Sequence, residues 1–198
     1  MSKTFSKWYD FFMVPLEQGK FKKIRRQLLK EATGKVLELG SGTGINFPLY
    51  DGVEVTAIEP SAHMIERSAP RKSASKVPVD LIQAGAEKLP FADDTFDTVV
   101  ATLVYCTIPD AEKAFAEMKR VCKNNGKILM FEHVRMRQPF LARLQERFTP
   151  YWGNICDGCR LDRDTVRLAR ESGLTIVQIK EYYKGLFITM ILRNVKSQ

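Results

Sequence analysis

The 198-residue sequence lacks several features that would place it in other classes of protein. No apolar run approaches the roughly 18 to 20 residues that span a bilayer, and the lysine-rich beginning lacks the continuous apolar core of a signal peptide. No internal repeat or low-complexity segment interrupts the chain. We therefore expect one cytoplasmic domain over residues 1–198, with an N-terminal lid over 1–35 and a core over 36–198.

Cysteine and histidine are scarce, with four and two residues. Cys156 and Cys159 have the spacing of a redox or half-metal motif, but no second cysteine pair and no nearby histidine completes a set of four ligands. We therefore expect reduced thiols in a local turn and no metal site.

The net charge of +8 is concentrated at the beginning of the chain, where residues 1–35 carry nine Lys and Arg against three acidic residues. Trp8, Phe11 and Phe12 lie in the same segment. One interpretation is a helical lid whose apolar side packs on the core while its lysines are solvated. The other is peripheral contact with an anionic membrane, with the basic residues from Lys20 to Arg26 facing the headgroups.

Apolar strand-like segments alternate with helix-like segments after residue 35. This alternation predicts an α/β fold, a Rossmann-like, doubly wound and mainly parallel seven-stranded sheet with an N-terminal helical lid. The short turn at 183–185 predicts a C-terminal antiparallel hairpin strand. The predicted strands are 36–39, 53–59, 77–83, 96–103, 127–133, 174–182 and 186–193. Helices are expected after Gly44, after the capping residues Ser61 and Asp110, and over 139–148 and 162–172.

The stretch "VLELGSGTG" runs the first predicted strand into a turn with three glycines. Open sheets of this kind bind ligands at the carboxyl ends of their strands. A dinucleotide fingerprint would need Gly or Ala where Ile45 stands, and the Glu38 carboxylate would repel a pyrophosphate. The same carboxylate would attract the cationic groups of S-adenosylmethionine. Glu59, at the end of the second strand, is placed to accept hydrogen bonds from ribose hydroxyls.

Four segments, "VLELGSGTG", "VTAIEPS", "AEKLPFADDTFDTVV" and "GKILMFEHV", resemble the class I S-adenosylmethionine-dependent methyltransferases. The resemblance is to the small single-domain type that includes phospholipid N-methyltransferases and quinone-biosynthesis C-methyltransferases. The segments "YDFFMVPLE", "LVYCTIPD", "EHVR" and "DGCRLDRDT" also resemble lipid-droplet thiol methyltransferases. The resemblance implies methyl transfer from S-adenosylmethionine to a small or lipid-like acceptor. That acceptor is a phosphatidylethanolamine-type amine headgroup or, alternatively, a thiol, phenol or quinol.

The resemblance also implies which residues bind the cofactor. The family commonly has Asp where this chain has Gly85, and Glu87 is expected to replace that contact to the adenine. The implied cofactor-binding residues are Glu38, Gly40, Ser41, Gly42, Gly44, Asn46, Glu59, Pro60, Met64, Ala86, Glu87, Thr102 and Leu103.

Candidates for the acceptor side follow the fourth and fifth strands or lie in the apolar segments. A general base is needed only for an acceptor that is protonated at neutral pH. The catalytic candidates are His133, Tyr105 and Tyr9, and the candidates for the acceptor pocket are Cys106, Phe148, Trp152 and Asp157. His63 is expected at the surface.

We expect a monomer that binds a small-molecule or lipid acceptor and no nucleic acid. The remote alternative is a nonenzymatic cofactor sensor or a nucleic-acid-binding module, although no recognisable nucleic-acid motif accompanies the basic N-terminal segment.

Overall fold

A computed structural model describes residues 17–156 and 158–196. The strands are β1 Lys35–Leu39, β2 Glu54–Ile58, β3 Val79–Ile82, β4 Phe96–Thr102, β5 Cys122–His133, β6 Thr175–Tyr182 and β7 Phe187–Arg193. The helices are α1 Lys22–Leu29, α2 Ala62–Ser73, α3 Ala111–Val121, α4 Pro139–Ile155 and α5 Thr165–Glu171.

The seven strands form one sheet in the order β3-β2-β1-β4-β5-β7-β6. The first five strands are parallel, and β7 is antiparallel to both β5 and β6. The predicted mainly parallel sheet and its antiparallel hairpin are therefore confirmed. Strand order reverses between β1 and β4, so the glycine turn after β1 lies at the topological switch point, where such sheets bind ligands.

The predicted starts of α2 and α3 are confirmed, whereas other predicted helix bounds differ from the observed ones. Ser61 and Asp110 cap α2 and α3 by accepting hydrogen bonds from backbone amides, as expected. The helix expected after Gly44 is wrong: only a single 3₁₀ turn forms over Phe47–Leu49, because the backbone turns extended at Tyr50. The helix predicted over 139–148 continues to Ile155, and the helix predicted over 162–172 spans Thr165–Glu171.

Both faces of the central strands are covered, and successive residues of β1 enter different cores. Leu37 joins the core formed with α3, whereas Val36 joins the core formed with α1, as expected when neighbouring side chains point to opposite faces. The central strands β1 and β4 are therefore buried on both sides, which leaves their carboxyl ends for a ligand. No helix within the described ranges is long and apolar enough to cross a membrane.

Helix α1 is part of the core. Ile24, Leu28 and Leu29 are buried on the sheet, and Phe21 lies edge-on to Phe131 at 5.2 Å between ring centroids. Arg25 is also buried, so the expectation that it faces lipid headgroups is wrong. Its place follows from helical spacing, because a residue four positions after Phe21 and three before Leu28 lies on the apolar side.

Candidate active site

The three glycines after β1 have different roles, although all three have left-handed backbone angles. A methyl group added at Gly40 would overlap the Val104 side chain, and one added at Gly44 would overlap the Phe47 ring. No atom lies within 4 Å of the corresponding position at Gly42. Gly40 and Gly44 therefore allow close packing, whereas Gly42 borders open space in which a ligand can approach the backbone.

Glu59 holds this turn against the end of β2. Its carboxylate accepts hydrogen bonds from the backbone amides of Gly42 and Ser61, at 2.9 and 3.0 Å. Glu59 therefore fixes the turn, and its contact with ribose hydroxyls stays a prediction. Ser41, in the same turn, has a buried hydroxyl with no hydrogen-bond partner among the described residues. The turn thus offers an acceptor and a donor to a polar ligand.

Glu38 lies beneath the turn in a buried polar network. Its carboxylate accepts hydrogen bonds from Asn46 Nδ2 at 2.9 Å and from the Tyr50 hydroxyl at 2.8 Å. Asn46 Nδ2 also donates to Thr102 Oγ1 at 2.9 Å, which connects β1 with the end of β4. The predicted cofactor residues Glu38, Asn46 and Thr102 therefore belong to one network.

Arg25 of α1 completes this network, and sequence reasoning missed its role. Its guanidinium donates to Thr102 Oγ1 at 2.5 Å and to Asn46 Oδ1 at 3.3 Å, and lies 5.4 Å from the centroid of the Phe131 ring. Burial raises the pKa of Glu38 to about 7, although Tyr50, Asn46 and the charge of Arg25 all act to lower it. The N-terminal helix is thus bonded directly to the end of β4.

The remaining cofactor candidates lie at or after the carboxyl ends of β2, β3 and β4. Met64 and Ala86 are buried, and Pro60 is exposed. Leu103 has a left-handed φ of +53° and donates its amide to Phe131 O at 2.7 Å. A Cβ atom at position 85 would lie 3.2 Å from Glu87 Oε2, so the Glu87 carboxylate borders the space where the family commonly has Asp. The contacts of these residues with a cofactor remain predictions.

On the acceptor side, the structure brings together three residues that are far apart in the chain: Cys106 after β4, His133 at the end of β5 and Cys159 after α4. His133 Nε2 lies 3.3 Å from Cys159 Sγ. The two sulfur atoms and one ring nitrogen all lie within 4.8 Å of one another. The expectation that no histidine accompanies the Cys156 and Cys159 pair is therefore wrong.

The chemistry of this cluster favours a thiolate at Cys159. A hydrogen bond with Cys106 and a second with His133 lower the pKa of Cys159 to about 5, although burial acts in the opposite direction. Burial acts to lower the pKa of His133, but its contacts with Cys159 and the charge of Glu132 outweigh burial and raise it. A negative sulfur and a positive imidazole therefore stabilise each other.

Glu132 is a further buried residue that sequence reasoning missed. Its Oε1 accepts the backbone amides of Val104 and Tyr105, both at 3.2 Å, and its Oε2 has no partner in the described part of the chain. Burial raises the pKa of Glu132 to about 7. The side chain fixes the loop that carries Cys106. Glu132 and His133 are adjacent at the carboxyl end of β5, where the ends of parallel strands meet at the ligand-binding edge. That position was the sequence signal that Glu132 belongs to the site.

Several candidates do not join the cluster. Tyr105 is fully buried, and its hydroxyl faces Met118 Sδ at 3.9 Å, so its predicted catalytic role is withdrawn in favour of a role in the core. Phe148 and Trp152 are 51% and 43% exposed on α4 and do not enclose a pocket within the described residues, although the Trp152 indole reaches the Cys159 thiol. Tyr9 and Asp157 lie outside the described residues. His63 is exposed, as expected.

Comparisons with known proteins agree with this geometry. The sequence matches the methyltransferase domain family over residues 37–130. The phosphatidylethanolamine N-methyltransferase of Cereibacter sphaeroides is 30% identical, and the alignment covers 96% of this chain and 95% of that protein. This chain belongs to the S-adenosylmethionine-dependent methyltransferases. The thiol S-methyltransferase TMT1B of Rattus norvegicus is 31% identical to this methyltransferase over 87% of the chain and 78% of the relative.

A solved structure supports the fold of the methyltransferase independently. The crystal structure of a SAM-dependent methyltransferase from Thermotoga maritima has a TM-score of 0.71 and covers 96% of both chains at 23% identity. The family match and the relative that is 30% identical over almost the whole chain confirm the predicted enzyme class and cofactor. The unpaired Ser41 hydroxyl, the open space beside Gly42 and the Glu59 carboxylate fit a polar nucleoside ligand.

When bound beside the glycine turn and Glu59, S-adenosylmethionine would supply an electrophilic methyl group for in-line displacement. The protein must align the acceptor with that methyl group and exclude water, and such positioning can lower a barrier by roughly 7 to 11 kcal/mol. The β4 end is suited to positioning, because Thr102, Leu103 and Val104 are each held by a hydrogen bond from or to another element.

The buried Glu38 predicts an unusual dependence of stability on pH. Its pKa is about 7 in the folded protein against 4.5 ordinarily, so the folded state binds more protons between these values. The free energy of unfolding should therefore fall as pH rises from 4.5 to 7, by about 3 kcal/mol in total. The Glu38→Gln variant lacks this contribution. Urea denaturation of both proteins at pH 5 and pH 8 measures the difference, and equal pH dependence in the two would contradict the prediction.

Proposed function

We propose that this methyltransferase acts on a lipid-like acceptor, with a phosphatidylethanolamine-type amine headgroup as the first candidate. The observation that carries this proposal is the outer face of α4. This face, defined by residues 140, 144, 148, 151, 152 and 155, consists of large apolar side chains. Phe140, Tyr151 and Ile155 are 75%, 69% and 65% exposed. An exposed apolar stripe of this length is typical of a surface that contacts lipid or another protein.

The α4 face leads to the acceptor side of the active site. Gln145, on the opposite side of α4, bonds to Val134 O at 3.1 Å and to Met136 N at 2.7 Å, just beyond β5. Farther along the helix, the Trp152 indole contacts the Cys159 thiol. A lipophilic acceptor lying on this face would therefore have its polar end near Cys106, His133 and Cys159.

The exposed basic residues of α4 and α1 would suit an anionic membrane. Arg143 and Arg147 are exposed on α4, and Lys22, Lys23 and Arg26 are exposed on α1. Each basic residue near such a surface contributes on the order of 1 kcal/mol to membrane binding. Peripheral contact would deliver a phospholipid headgroup without a membrane-spanning segment. The relationship to a phosphatidylethanolamine N-methyltransferase supports this choice of acceptor.

A thiol is the second candidate acceptor. The specific observation that favours it is the cluster of Cys106, His133 and Cys159. This cluster places two thiols and one imidazole on the acceptor side. The similarity to a thiol S-methyltransferase points in the same direction.

A labelled-methyl assay tests the proposal. The panel contains vesicles of phosphatidylethanolamine mixed with an anionic phospholipid, a soluble alkyl thiol and a soluble phenol. We expect Phe140→Ser combined with Phe148→Ser to reduce methylation of the vesicle lipid by at least about tenfold, because two apolar anchors are lost. Transfer to any soluble acceptor should change by less than about twofold.

Val177→Ser is the matched control, since Val177 is an exposed apolar residue on β6, 58% exposed, outside the α4 face. It should leave vesicle methylation unchanged. Equal turnover of vesicle lipid by the double variant and the wild type would contradict the role of the α4 face. Methylation of the thiol with none of the amine lipid would select the second candidate.

A further inference from the structure

The geometry points to a binding site for one zinc-class divalent metal ion formed by Cys106 Sγ, His133 Nε2 and Cys159 Sγ. These are the three residues that the fold brings together at the carboxyl edge of the sheet. Two sulfur ligands and one imidazole select zinc over magnesium or calcium, which prefer oxygen ligands.

The distances are close to those that a metal ion requires. Zinc binds thiolate sulfur at about 2.3 Å and imidazole nitrogen at about 2.0 to 2.1 Å, so the sulfur and nitrogen ligands of a tetrahedral site lie roughly 3.5 to 3.8 Å apart. His133 Nε2 and Cys159 Sγ are 3.3 Å apart, and all three ligand atoms lie within 4.8 Å. Small side-chain rotations would therefore bring them into range of one ion without movement of the backbone.

The backbone around the three ligands is held from several directions. Cys106 O accepts the amide of Arg160 at 2.9 Å, which ties the segment after β4 to the residue that follows Cys159. His133 pairs with Phe187 in the sheet. Glu132 accepts the two amides that precede Cys106. A site whose ligands are positioned in advance loses little conformational entropy when it binds an ion.

Three protein ligands leave a fourth tetrahedral position, the arrangement found in catalytic zinc sites. We assign this position to the thiol acceptor, an assignment that rests on the second candidate of the proposed function. On coordination the thiol loses its proton to water. The thiolate sulfur then forms a bond to the methyl carbon, the bond from that carbon to the sulfonium breaks, and its electron pair stays on the sulfur of S-adenosylhomocysteine. The product is a methyl thioether.

The test uses the reduced full-length chain and does not depend on turnover. Equilibrium dialysis against Zn²⁺ should give one ion per chain, and Co²⁺ in its place should give absorption bands from thiolate-to-metal charge transfer. Cys106→Ser, Cys159→Ser and His133→Gln should each weaken Zn²⁺ binding by at least about tenfold. Binding of S-adenosylhomocysteine, measured by calorimetry, checks that these variants remain folded.

Cys156→Ser is the matched control, because Cys156 shares the turn but does not belong to the three-residue cluster. This variant should bind Zn²⁺ as the wild type does. Loss of binding would show that Cys156 is a fourth protein ligand, and it would overturn a site with three protein ligands and one open position. Absence of stoichiometric Zn²⁺ from wild-type protein that binds S-adenosylhomocysteine would overturn the whole inference. Methyl transfer by that metal-free protein would support the proposed function without the metal site. Zn²⁺ binding without methyl transfer to any acceptor would contradict the proposed acceptors but not the metal site.

Discussion

Arg25→Met should lower the free energy of unfolding by about 3 to 5 kcal/mol, the usual cost of removing one member of a buried charged network. Methionine fills similar space and removes the donors that bond to Thr102 and Asn46. It also removes the positive charge that helps Glu38 to ionise within the core. Urea denaturation at pH 8 measures the change under conditions in which Glu38 is ionised.

Arg26→Met is the control for this variant, because Arg26 is the next residue of α1 and is exposed. It should change the free energy of unfolding by no more than about 0.5 kcal/mol. Similar losses in the two variants would show that α1 responds to charge in general. The Arg25 network would then have no special part in stability.

Gly40→Ala should mainly lower stability, whereas Gly42→Ala should mainly weaken cofactor binding. Both residues have left-handed φ, which costs alanine about 1 to 2 kcal/mol at either position. Gly40→Ala also drives its methyl group into Val104, and overpacking adds about 1 to 3 kcal/mol to the loss of stability. Gly42→Ala meets no protein atom, so its methyl group instead takes space that the cofactor needs.

Urea denaturation and calorimetric titration with S-adenosylhomocysteine separate these effects. Gly40→Ala should show the larger loss of stability. Gly42→Ala should remain folded and bind the nucleoside at least about tenfold more weakly, as expected when one close contact is blocked. Full affinity in Gly42→Ala would show that the open space beside Gly42 is not part of the cofactor site.

The strands could be predicted from the sequence because their signals are local. Each is a short apolar run bounded by turn residues, and the alternation with helices implies parallel neighbours. The segment after Gly44 was misjudged for a tertiary reason, since Tyr50 leaves the helical path and its hydroxyl bonds to the buried Glu38. A helical pattern in the sequence does not report such a bond.

Some residues of the candidate site could likewise be predicted from the sequence, whereas others could not. The glycine turn and Glu59 were recognisable because they follow strands at a familiar spacing. Arg25 and Thr102 are 77 positions apart, and Cys159 reaches His133 across 26 positions from a turn that has no strand pattern of its own. Contacts of this kind depend on how layers pack, and the apolar spacing around Arg25 was a local signal that the sequence interpretation overlooked.

The insertion of β7 between β5 and β6 has a consequence for protein synthesis. Chains emerge from the ribosome N-terminus first, and β5 has no second neighbour until residues 187–193 are available. Until then an apolar strand that includes Leu129 and Phe131 exposes an unpaired edge, the kind of surface that chaperones and other nascent chains bind. His133, paired with Phe187 in the finished sheet, is among the residues held in place only when β7 arrives. The carboxyl end of β5, with His133, is therefore completed only when the last strand of the sheet pairs with it.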